Sequence, residues 1–370
     1  MSQLFSPLQL RDLTLSNRIM VSPMCQYMAE DGRAGAWHMI HLGNLALSGA
    51  GMVCIEATAV TAQGRITHGD LGLYDDATEA ALKPVVEAMR QYSKAAVVMQ
   101  LGHAGRKASS QAPWDGGQQV SLADGGWLGV APSALPHKED EAAPLALDAG
   151  GMAEIRDAYV ATARRADRLG LDGLELHAAH GYLLHQFLSP LSNQRTDDYG
   201  GSLANRMRFV LEVFDAVRAE FPAGKPVGVR LSATDWVDGG WDLPQTLVLA
   251  EELRQRGVDW IDASSAGVSP LQQIPVGAGY QVPFAEAIRH ATGIPTIAVG
   301  LITEAAQAEE IIASGQADLV ALGRGILYNP RWPWHAAAEL GGTVDAPKAY
   351  WRAPPRGQAA LFGDTKFGAR

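Results

Sequence analysis

Cysteine is nearly absent from this sequence, which contains only Cys25 and Cys54 among 370 residues. Two isolated cysteines form neither a CxxC pair nor a disulfide framework, so they exclude a clustered cysteine site for zinc or for an iron–sulfur cluster. The same scarcity is typical of proteins from a reducing compartment. We therefore expect a cytoplasmic protein without a bound metal.

Positive charge is also in short supply. Lys and Arg total 30 against 40 Asp and Glu, a formal net charge of -10, and the basic residues form no continuous stripe. Binding to nucleic acid is therefore not expected. The opening residues, “MSQLFSPLQL”, lack the basic and apolar segments of a signal peptide, and no apolar run is long enough to span a membrane. We expect neither secretion nor a membrane partner.

Glycine marks the ends of several helix-like runs, each of which is followed by an apolar, strand-like segment. Gly49, Gly170, Gly257 and Gly315 suit the left-handed position that closes a helix. Amphipathic stretches such as “MAEIRDAYVATARRADRL” lie between the strands, and this alternation predicts a parallel sheet. Eight candidate strands begin near residues 19, 51, 95, 173, 227, 260, 296 and 319.

Eight strand–helix units are the number that a (β/α)8 TIM barrel requires, and we predict this α/β fold as one domain over residues 1–370. A doubly wound open sheet is the alternative, but it needs a GxGxxG turn that we do not find. The longest irregular region, residues 107–150, follows the third strand and has the length of a functional loop or lid. The C-terminal tail beyond residue 330 is rich in Pro, Gly and Arg and is not expected to form a core element.

Polar residues gather at the end of the fourth strand, in “LELHAAHGYLLHQFLSP”. On a continuous strand His177 and His180 would face opposite sides, so both reach one site only if the chain turns after His177. Two neutral imidazoles can donate to one ligand oxygen, while the phenol of Tyr182 can supply a proton. Zinc ligation and purely structural hydrogen bonding are the alternatives, although “HAAH” lacks the glutamate of HExxH.

Two further strands carry polar side chains towards the barrel interior. In “VGVRLSA” the alternation points Arg230 inward, and in “VVMQLGHAGR” it points Gln100 inward. A buried arginine requires a carboxylate or an electron-rich ligand. A carboxamide donates and accepts, which suits the edge of a flat heterocycle. Either residue could instead belong to a network within the core.

The last two strands end in glycine, with Gly300 after the seventh and Gly323 followed by Arg324 after the eighth. In barrels this is the usual phosphate position, where backbone N–H groups and one cation hold the anion; glycines also mark tight turns. The first strand closes in “IMVSPMCQY”, with Cys25 and Tyr27. A lone thiol is more often a buried apolar group than a reactive one.

Together, a phosphate site, a Gln and an Arg for a heterocycle, paired histidines, a phenol and a thiol suggest bound flavin mononucleotide (FMN). The sequence also resembles the Old Yellow Enzyme family of ene-reductases. Cys25, where many members carry threonine, is similar to the thermophilic-like, or bacterial xenobiotic-reductase, branch. The resemblance spans nearly the whole chain through “SPMCQY”, “QLGHAGR”, “ELHAAHGYLLHQFLSPLSNQRTDDYGGS”, “VGVRLSA” and “ALGRGILYNP”.

The resemblance implies a barrel that binds FMN, is reduced by NADPH or NADH and reduces activated alkenes. Tyr27 would line the substrate pocket, and Trp351 in the tail would close it, within its own protomer or across a dimer interface. A homodimer or a higher homo-oligomer is expected. The residues implied to surround the flavin and its phosphate are Ser22, Pro23, Met24, Cys25, Ala57, Gln100, Arg230, Gly300, Gly323 and Arg324.

In the implied reaction, His177 and His180 hold the carbonyl or nitro oxygen of an α,β-unsaturated substrate and make its β-carbon electrophilic. Flavin N5 delivers hydride to that carbon, and Tyr182 protonates the α-carbon. An ordinary phenol has a pKa of ~10, so it is protonated at neutral pH. The alternative is a non-catalytic flavin- or ligand-binding barrel, because a fold alone does not establish chemistry.

Overall fold

The structure is a computed structural model that describes residues 2–365 of the chain. Its strands, in chain order, are β1 (Leu8–Leu10), β2 (Leu13–Leu15), β3 (Ile19–Val21), β4 (Met52–Ala59), β5 (Ala96–Gly102), β6 (Val130–Ala131), β7 (Leu145–Ala146), β8 (Gly173–Ala178), β9 (Val227–Ser232), β10 (Ile261–Ser264), β11 (Thr296–Val299) and β12 (Leu319–Leu322). Its helices are α1 (Ala36–Ala46), α2 (Asp76–Tyr92), α3 (Ala149–Arg168), α4 (Leu183–Leu188), α5 (Leu203–Glu220), α6 (Leu243–Gln255), α7 (Val282–Thr292), α8 (Ala305–Ala313), α9 (Arg324–Tyr328) and α10 (Trp332–Leu340).

Eight of these strands form a closed parallel barrel in the order β3-β4-β5-β8-β9-β10-β11-β12. Each begins within one residue of a predicted position. The predicted (β/α)8 TIM barrel is therefore confirmed. The remaining strands form two small sheets, the antiparallel hairpin of β1 with β2 and the parallel pair of β6 with β7 inside the long loop.

The helix ends follow from local side chains. Asp75, Ser202 and Asp242 precede α2, α5 and α6, and each side chain accepts a hydrogen bond from a backbone N–H in the first turn. Such caps satisfy donors that a helix leaves unpaired. The glycines expected to close helices all have positive φ, between 78° and 89°: Gly49, Gly170, Gly257 and Gly315. Each lets the chain turn from a helix towards the next strand.

The amino-terminal end of the barrel is filled with apolar side chains. This interior cluster includes Met20, Met52, Cys54, Val98, Trp260, Ile297, Leu319 and Ala321, all buried. Leu10 and Leu15 of the β1–β2 hairpin belong to the same cluster. A second apolar cluster lies between the strands and the surrounding helices. Because the amino-terminal end is packed, a ligand site is expected at the carboxyl ends of the strands.

The tail beyond residue 330 begins with α10, and the segment that follows this helix packs back against it. Leu361 and Phe362 are buried in a small cluster with Ala337 and Val344. The tail therefore contributes to an apolar cluster after all, although the expectation from its composition was that it would not. Its last residues, 366–370, lie outside the described part of the chain. Among residues 2–365, the helices are all too short or too polar to cross a membrane.

Candidate active site

Four inward-facing polar side chains form a layer next to the apolar interior. This polar layer consists of Gln100, Glu175, Arg230 and Asp262, none more than 6% exposed. Gln100 and Glu175 are register partners, and Nε2 of Gln100 donates to Oε1 of Glu175 at 2.8 Å. Arg230 and Asp262 are also register partners, with 3.0 Å between Nε and Oδ2. Gln100 and Arg230 thus lie inside the barrel as strand alternation predicts, and Asp262 is a carboxylate that a buried arginine requires.

The two carboxylates of the polar layer were missed by sequence analysis. Their signal was an acidic residue within an otherwise buried strand, in “LELHAA” and in “WIDAS”. Burial, and then the nearby carboxylate of Asp262, raise the pKa of Glu175 to about 7, while Arg230 opposes the rise. Burial likewise raises the pKa of Asp262. The layer is stable only because its members pair with one another.

The turn needed to bring the two histidines together is present. His180 has a φ of 57° and Gly181 a φ of 72°, so the chain turns just after β8. The imidazole rings of His177 and His180 lie edge to face with their centroids 5.1 Å apart. Two hydrogen bonds stabilise the conformation of this turn. Gly181 N donates to His185 Nδ1 at 2.8 Å, and His185 Nε2 lies 2.8 Å from Asp235 Oδ1.

The hydrogen bonds of the histidines indicate which nitrogens are free. Ala179 N donates to His177 Nδ1 at 3.3 Å, which leaves the hydrogen on Nε2. His180 Nε2 lies 2.6 Å from Ser264 Oγ, and when this hydroxyl donates, the hydrogen of His180 is on Nδ1. Burial, with a smaller contribution from Arg230, lowers the pKa of both rings, so both are neutral at neutral pH. His177 therefore has one N–H that no described residue accepts, and His180 has one when the Ser264 hydroxyl donates to it and not to Gln281 Oε1, which lies 3.5 Å from that hydroxyl.

The phenol of Tyr182 lies beside the histidines. Its ring centroid is 4.9 Å from that of His177, and the ammonium nitrogen of Lys107 lies 5.0 Å from the centre of the Tyr182 ring. Lys107 also donates to the carbonyl oxygens of His180 and Gly267, at 2.9 and 3.1 Å. Burial raises the pKa of Tyr182 well above its ordinary value, so the phenol is protonated at neutral pH. Sequence analysis did not single out Lys107.

The thiol of Cys25 is near Tyr27 and the backbone of Ala57. Burial, and then the carboxylates of Asp70 and Glu56, raise the pKa of Cys25 well above its ordinary value. Cys25 is therefore a neutral thiol and not a thiolate at neutral pH. This suits a packing or polarizing role better than a nucleophilic one.

A bulge in β4 brings its carboxyl end to the same place. The pairing of β4 with β5 shifts register between Ile55 and Thr58, and Ala57 lies within the bulge. A small cavity is lined by Ala57, Ala59, Gly64, Ile66, Asp70, Gly102, His103, Ala104, His177 and Tyr182. The bulge of β4, His177 and the phenol of Tyr182 thus share one cavity.

The carboxyl ends of β3, β11 and β12 form the other side of the barrel mouth. Ser22 N donates to Leu322 O at 3.0 Å, and a Cβ built on Gly323 would lie 3.7 Å from the sulfur of Met24. Pro23 lies between Ser22 and Met24 in the chain and is buried. Gly300 has a φ of 125°, a backbone conformation that residues with a side chain rarely adopt.

Arg324 is exposed at the start of α9. Among residues 2–365 its guanidinium has no hydrogen-bond or ion-pair partner. Gln100 Oε1 and the terminal nitrogens of Arg230 likewise make no hydrogen bond within the described chain. Free donors and an acceptor at one side, with a free cation beside glycines at the other, fit the ring and the phosphate of FMN.

Trp351 lies away from this site within its own chain. It lines a larger cavity, of about 420 Å³, together with residues that precede β4 and β5, such as Ala50 and Ala95. These residues mark the amino-terminal ends of the strands. Tyr27 instead contacts Trp114 of the long loop, with ring centroids 5.8 Å apart. Trp114 is 63% exposed and was not identified from the sequence.

Comparison with known proteins places this geometry in a family. A model of the NADH:flavin oxidoreductase / NADH oxidase family matches residues 3–341. An NADPH dehydrogenase of Geobacillus thermodenitrificans is 45% identical over 351 residues, which cover 94% of this chain and 98% of that protein. The chain belongs to the NADH:flavin oxidoreductase / NADH oxidase family. The predicted Old Yellow Enzyme relationship, flavin-dependent oxidoreduction, and FMN with NAD(P)H as cofactors are thereby confirmed.

Solved structures agree with this assignment. Morphinone reductase is 33% identical with a TM-score of 0.76, and the match covers 94% of this chain and 91% of that one. A complex of 2-naphthoyl-CoA reductase gives a TM-score of 0.82 at 24% identity, which shows a shared fold alone. This chain spans 52% of the length of the latter enzyme.

Proposed function

We propose that this protein is an ene-reductase that reduces the C=C bond of α,β-unsaturated carbonyl or nitro compounds, with NADPH or NADH as reductant. The observation that carries the proposal is the pair of neutral imidazoles, His177 and His180, beside the phenol of Tyr182. Bound FMN would supply the hydride transfer between the nicotinamide and the alkene. The alternative of a non-catalytic flavin barrel gives no reason for this constellation.

In this proposal one side of the barrel mouth binds the ring system of FMN and the other side binds its phosphate. Gln100 and Arg230 hold the ring system, and Arg230 offsets negative charge there. Arg324, with the backbone of Gly300 and Gly323, holds the phosphate. The remaining residues proposed to line the cofactor are Ser22, Pro23, Met24, Cys25 and Ala57.

His177 and His180 would bind the substrate through its oxygen. Both can donate to one carbonyl or nitro oxygen, which withdraws electron density from the conjugated alkene and makes the β-carbon electrophilic. Since negative charge grows on that oxygen as the β-carbon gains hydride, the two donors bind the transition state more strongly than the ground state.

Tyr182 would complete the reduction by transferring its phenolic proton to the α-carbon. The raised pKa keeps this proton available at neutral pH. The ammonium of Lys107, 5.0 Å from the ring centre, would stabilise the phenolate that remains until solvent returns a proton.

An anaerobic titration tests the proposal against the non-catalytic alternative. NADPH should bleach the yellow protein without air, and cyclohexenone should restore the colour with one equivalent of cyclohexanone formed. A protein that bleaches but does not recover with any enone, quinone or nitroalkene would be a flavin carrier, not an ene-reductase.

We further propose that residues 1–370 form one domain and that the protein is a homo-oligomer. The second point follows from the resemblance, and it is required if Trp351 closes a substrate pocket, because within its own chain this residue lies at the amino-terminal ends of the strands. Light scattering of the purified protein tests whether it is an oligomer. A monomeric protein would show that Trp351 is not part of a substrate site.

A further inference from the structure

Gln100 is held by Glu175, and Glu175 in turn accepts a hydrogen bond from the indole of Trp260, a group that can only donate. Trp260 Nε1 donates to Glu175 Oε2 at 2.9 Å, and Gln100 Nε2 donates to Glu175 Oε1 at 2.8 Å. All three side chains are buried, with at most 2% exposure. The position of Trp260 depends on Gly228, because a Cβ at that residue would lie 2.0 Å from the indole ring.

This chain of hydrogen bonds determines which end of the Gln100 amide is free. An indole can only donate, so the group that faces it must accept. A carboxylate accepts on both oxygens, and therefore the amide nitrogen of Gln100 must be the end that faces Glu175. The amide oxygen of Gln100 remains without a partner among the described residues.

We propose that Glu175, held by Trp260, is the positioning residue that presents Gln100 to the flavin as a hydrogen-bond acceptor. This inference rests on the proposed function, in which Gln100 holds the flavin ring. The pyrimidine edge of FMN carries one N–H, at N3, between two carbonyls. An acceptor on Gln100 therefore selects N3–H, whereas a reversed amide would select a carbonyl.

The ionised form of Glu175 is required for this arrangement. The titratable groups that face it are Arg230, Asp262 and Cys54, from β9, β10 and β4. Burial and Asp262 raise the pKa of Glu175 to about 7. A raised pKa means that the carboxylate is present above it and is lost as the pH falls through it, so binding is best measured at about pH 8.

The variant Glu175→Gln should reverse the amide of Gln100. Trp260 still needs an acceptor, so the new amide would turn its oxygen to the indole and its nitrogen to Gln100. The Gln100 oxygen would then accept from the new amide at position 175. The NH2 group of Gln100 would point towards the N3–H of the flavin. The loss of one hydrogen bond and the opposition of two donors should weaken FMN binding by about 10-fold.

The direct readout is the N3–H proton of ¹⁵N-labelled FMN bound to the protein. It should move upfield in Glu175→Gln relative to wild type, because its hydrogen bond is lost. The double variant Glu175→Gln/Trp260→Phe frees the new amide to turn its oxygen back to Gln100, and the resonance should return towards the wild-type position. A merely structural role for Glu175 predicts no such recovery, since the second change removes further packing.

The control is Glu309→Gln on α8, which removes a carboxylate bonded to Ser2 and Gln3, away from the polar layer, and should leave the N3–H resonance in place. Wild-type protein provides a test without substitution: acidification from about pH 8 to about pH 5 protonates Glu175 and should shift the resonance as Glu175→Gln does. An unmoved resonance in Glu175→Gln and on acidification would overturn the inference. Failure of the wild-type protein to bind FMN would instead overturn the proposed function.

Discussion

The two sides of the barrel mouth are built differently. On the side of β5, β8, β9 and β10, called the paired side here, functional side chains are tied to other buried groups, as Gln100 is to Glu175 and His180 to Ser264. On the side of β11 and β12, called the open side, the backbone of glycines predominates, together with Arg324, which is exposed and has no partner among residues 2–365. The contrast matches the two parts of the proposed cofactor.

The difference between the two sides shows which part of FMN must be positioned accurately. A ring that reacts must be held to a fraction of an ångström, and side chains fixed by their own partners lose little freedom when they bind it. A phosphate only anchors, so one mobile cation and backbone donors suffice. Substitutions of the substrate-facing groups His177, His180 and Tyr182 on the paired side should therefore alter substrate binding or reactivity, whereas those on the open side should alter retention of FMN.

The largest expected effect, on the paired side, is that of Tyr182→Phe. Reduction of the flavin by NADPH should stay near the wild-type rate, because that step uses no proton from Tyr182. Reduction of cyclohexenone should slow by about 100-fold or more, the usual contribution of a general acid. Anaerobic stopped-flow measurement of the two half-reactions separates these rates.

Tyr159→Phe is the matched control for Tyr182→Phe. Tyr159 is a buried tyrosine of α3 whose hydroxyl has no hydrogen-bond partner within residues 2–365, and its removal should change neither half-reaction. Equal slowing of both half-reactions in Tyr182→Phe would show that the residue is structural. Nitroalkenes should be less affected than enones, because a nitronate is stable enough to leave before it is protonated.

The next effect belongs to the open side. Arg324→Ala should weaken FMN binding by about 10- to 100-fold, because the phosphate loses a charge-assisted hydrogen bond while backbone donors remain. The purified variant should be pale, and titration of the apoprotein with FMN should give the dissociation constant. Rates of the reloaded protein should be nearly normal.

Arg254→Ala is the control for Arg324→Ala. Arg254 lies on α6 in an ion pair with Glu251, so its loss should leave FMN binding unchanged. If Arg324→Ala kept full flavin occupancy through dialysis, the phosphate would have to lie elsewhere and the distinction between the two sides would fail.

The same contrast explains what the sequence could predict. The barrel, its strands and the inward direction of Gln100 and Arg230 follow from short-range periodicity, which a sequence displays directly. Gly300 and Gly323 could be recognised for the same reason. The partners could not: Glu175 and Asp262 pair with residues of neighbouring strands, and a pairing between strands is fixed only by barrel closure.

Loops were predicted least well. Lys107 reaches the carbonyl of His180 from the start of the long loop, and Trp114 reaches Tyr27 from within it. No periodic pattern specifies where such a segment folds back. Trp351 shows the converse, since a resemblance can suggest a role but the path of the tail within one chain does not bring the residue to the site.

A smaller effect is expected for the paired histidines. His177→Ala and His180→Ala should each weaken binding of a para-substituted phenol by about 10-fold, because one donor to the phenolate oxygen is lost. Titration of the long-wavelength charge-transfer band measures the affinity. Burial lowers the pKa of both rings, so they stay neutral, and histidine titration should not alter wild-type binding between about pH 6 and 8.

His290→Ala is the control for the histidine variants, since His290 is exposed on α7. It should bind the phenol as wild type does. Unchanged titrations in His177→Ala and His180→Ala would remove both rings from the substrate site and leave the paired side without an oxygen-binding function.

The smallest effect is expected for Cys25, which lies near Tyr27 and Ala57 between the two sides. A neutral thiol is a weak donor and a polarizable neighbour, whereas the hydroxyl of Cys25→Ser forms a stronger hydrogen bond and stabilises charge on a reduced ring differently. The variant should therefore shift the flavin midpoint potential and change the two half-reaction rates unequally, without loss of FMN. Cys25→Ala, which has no donor, should differ from Cys25→Ser in potential although both remove the sulfur. Spectroelectrochemistry of the three proteins decides the point, because identical potentials with identical rates would assign Cys25 to packing alone.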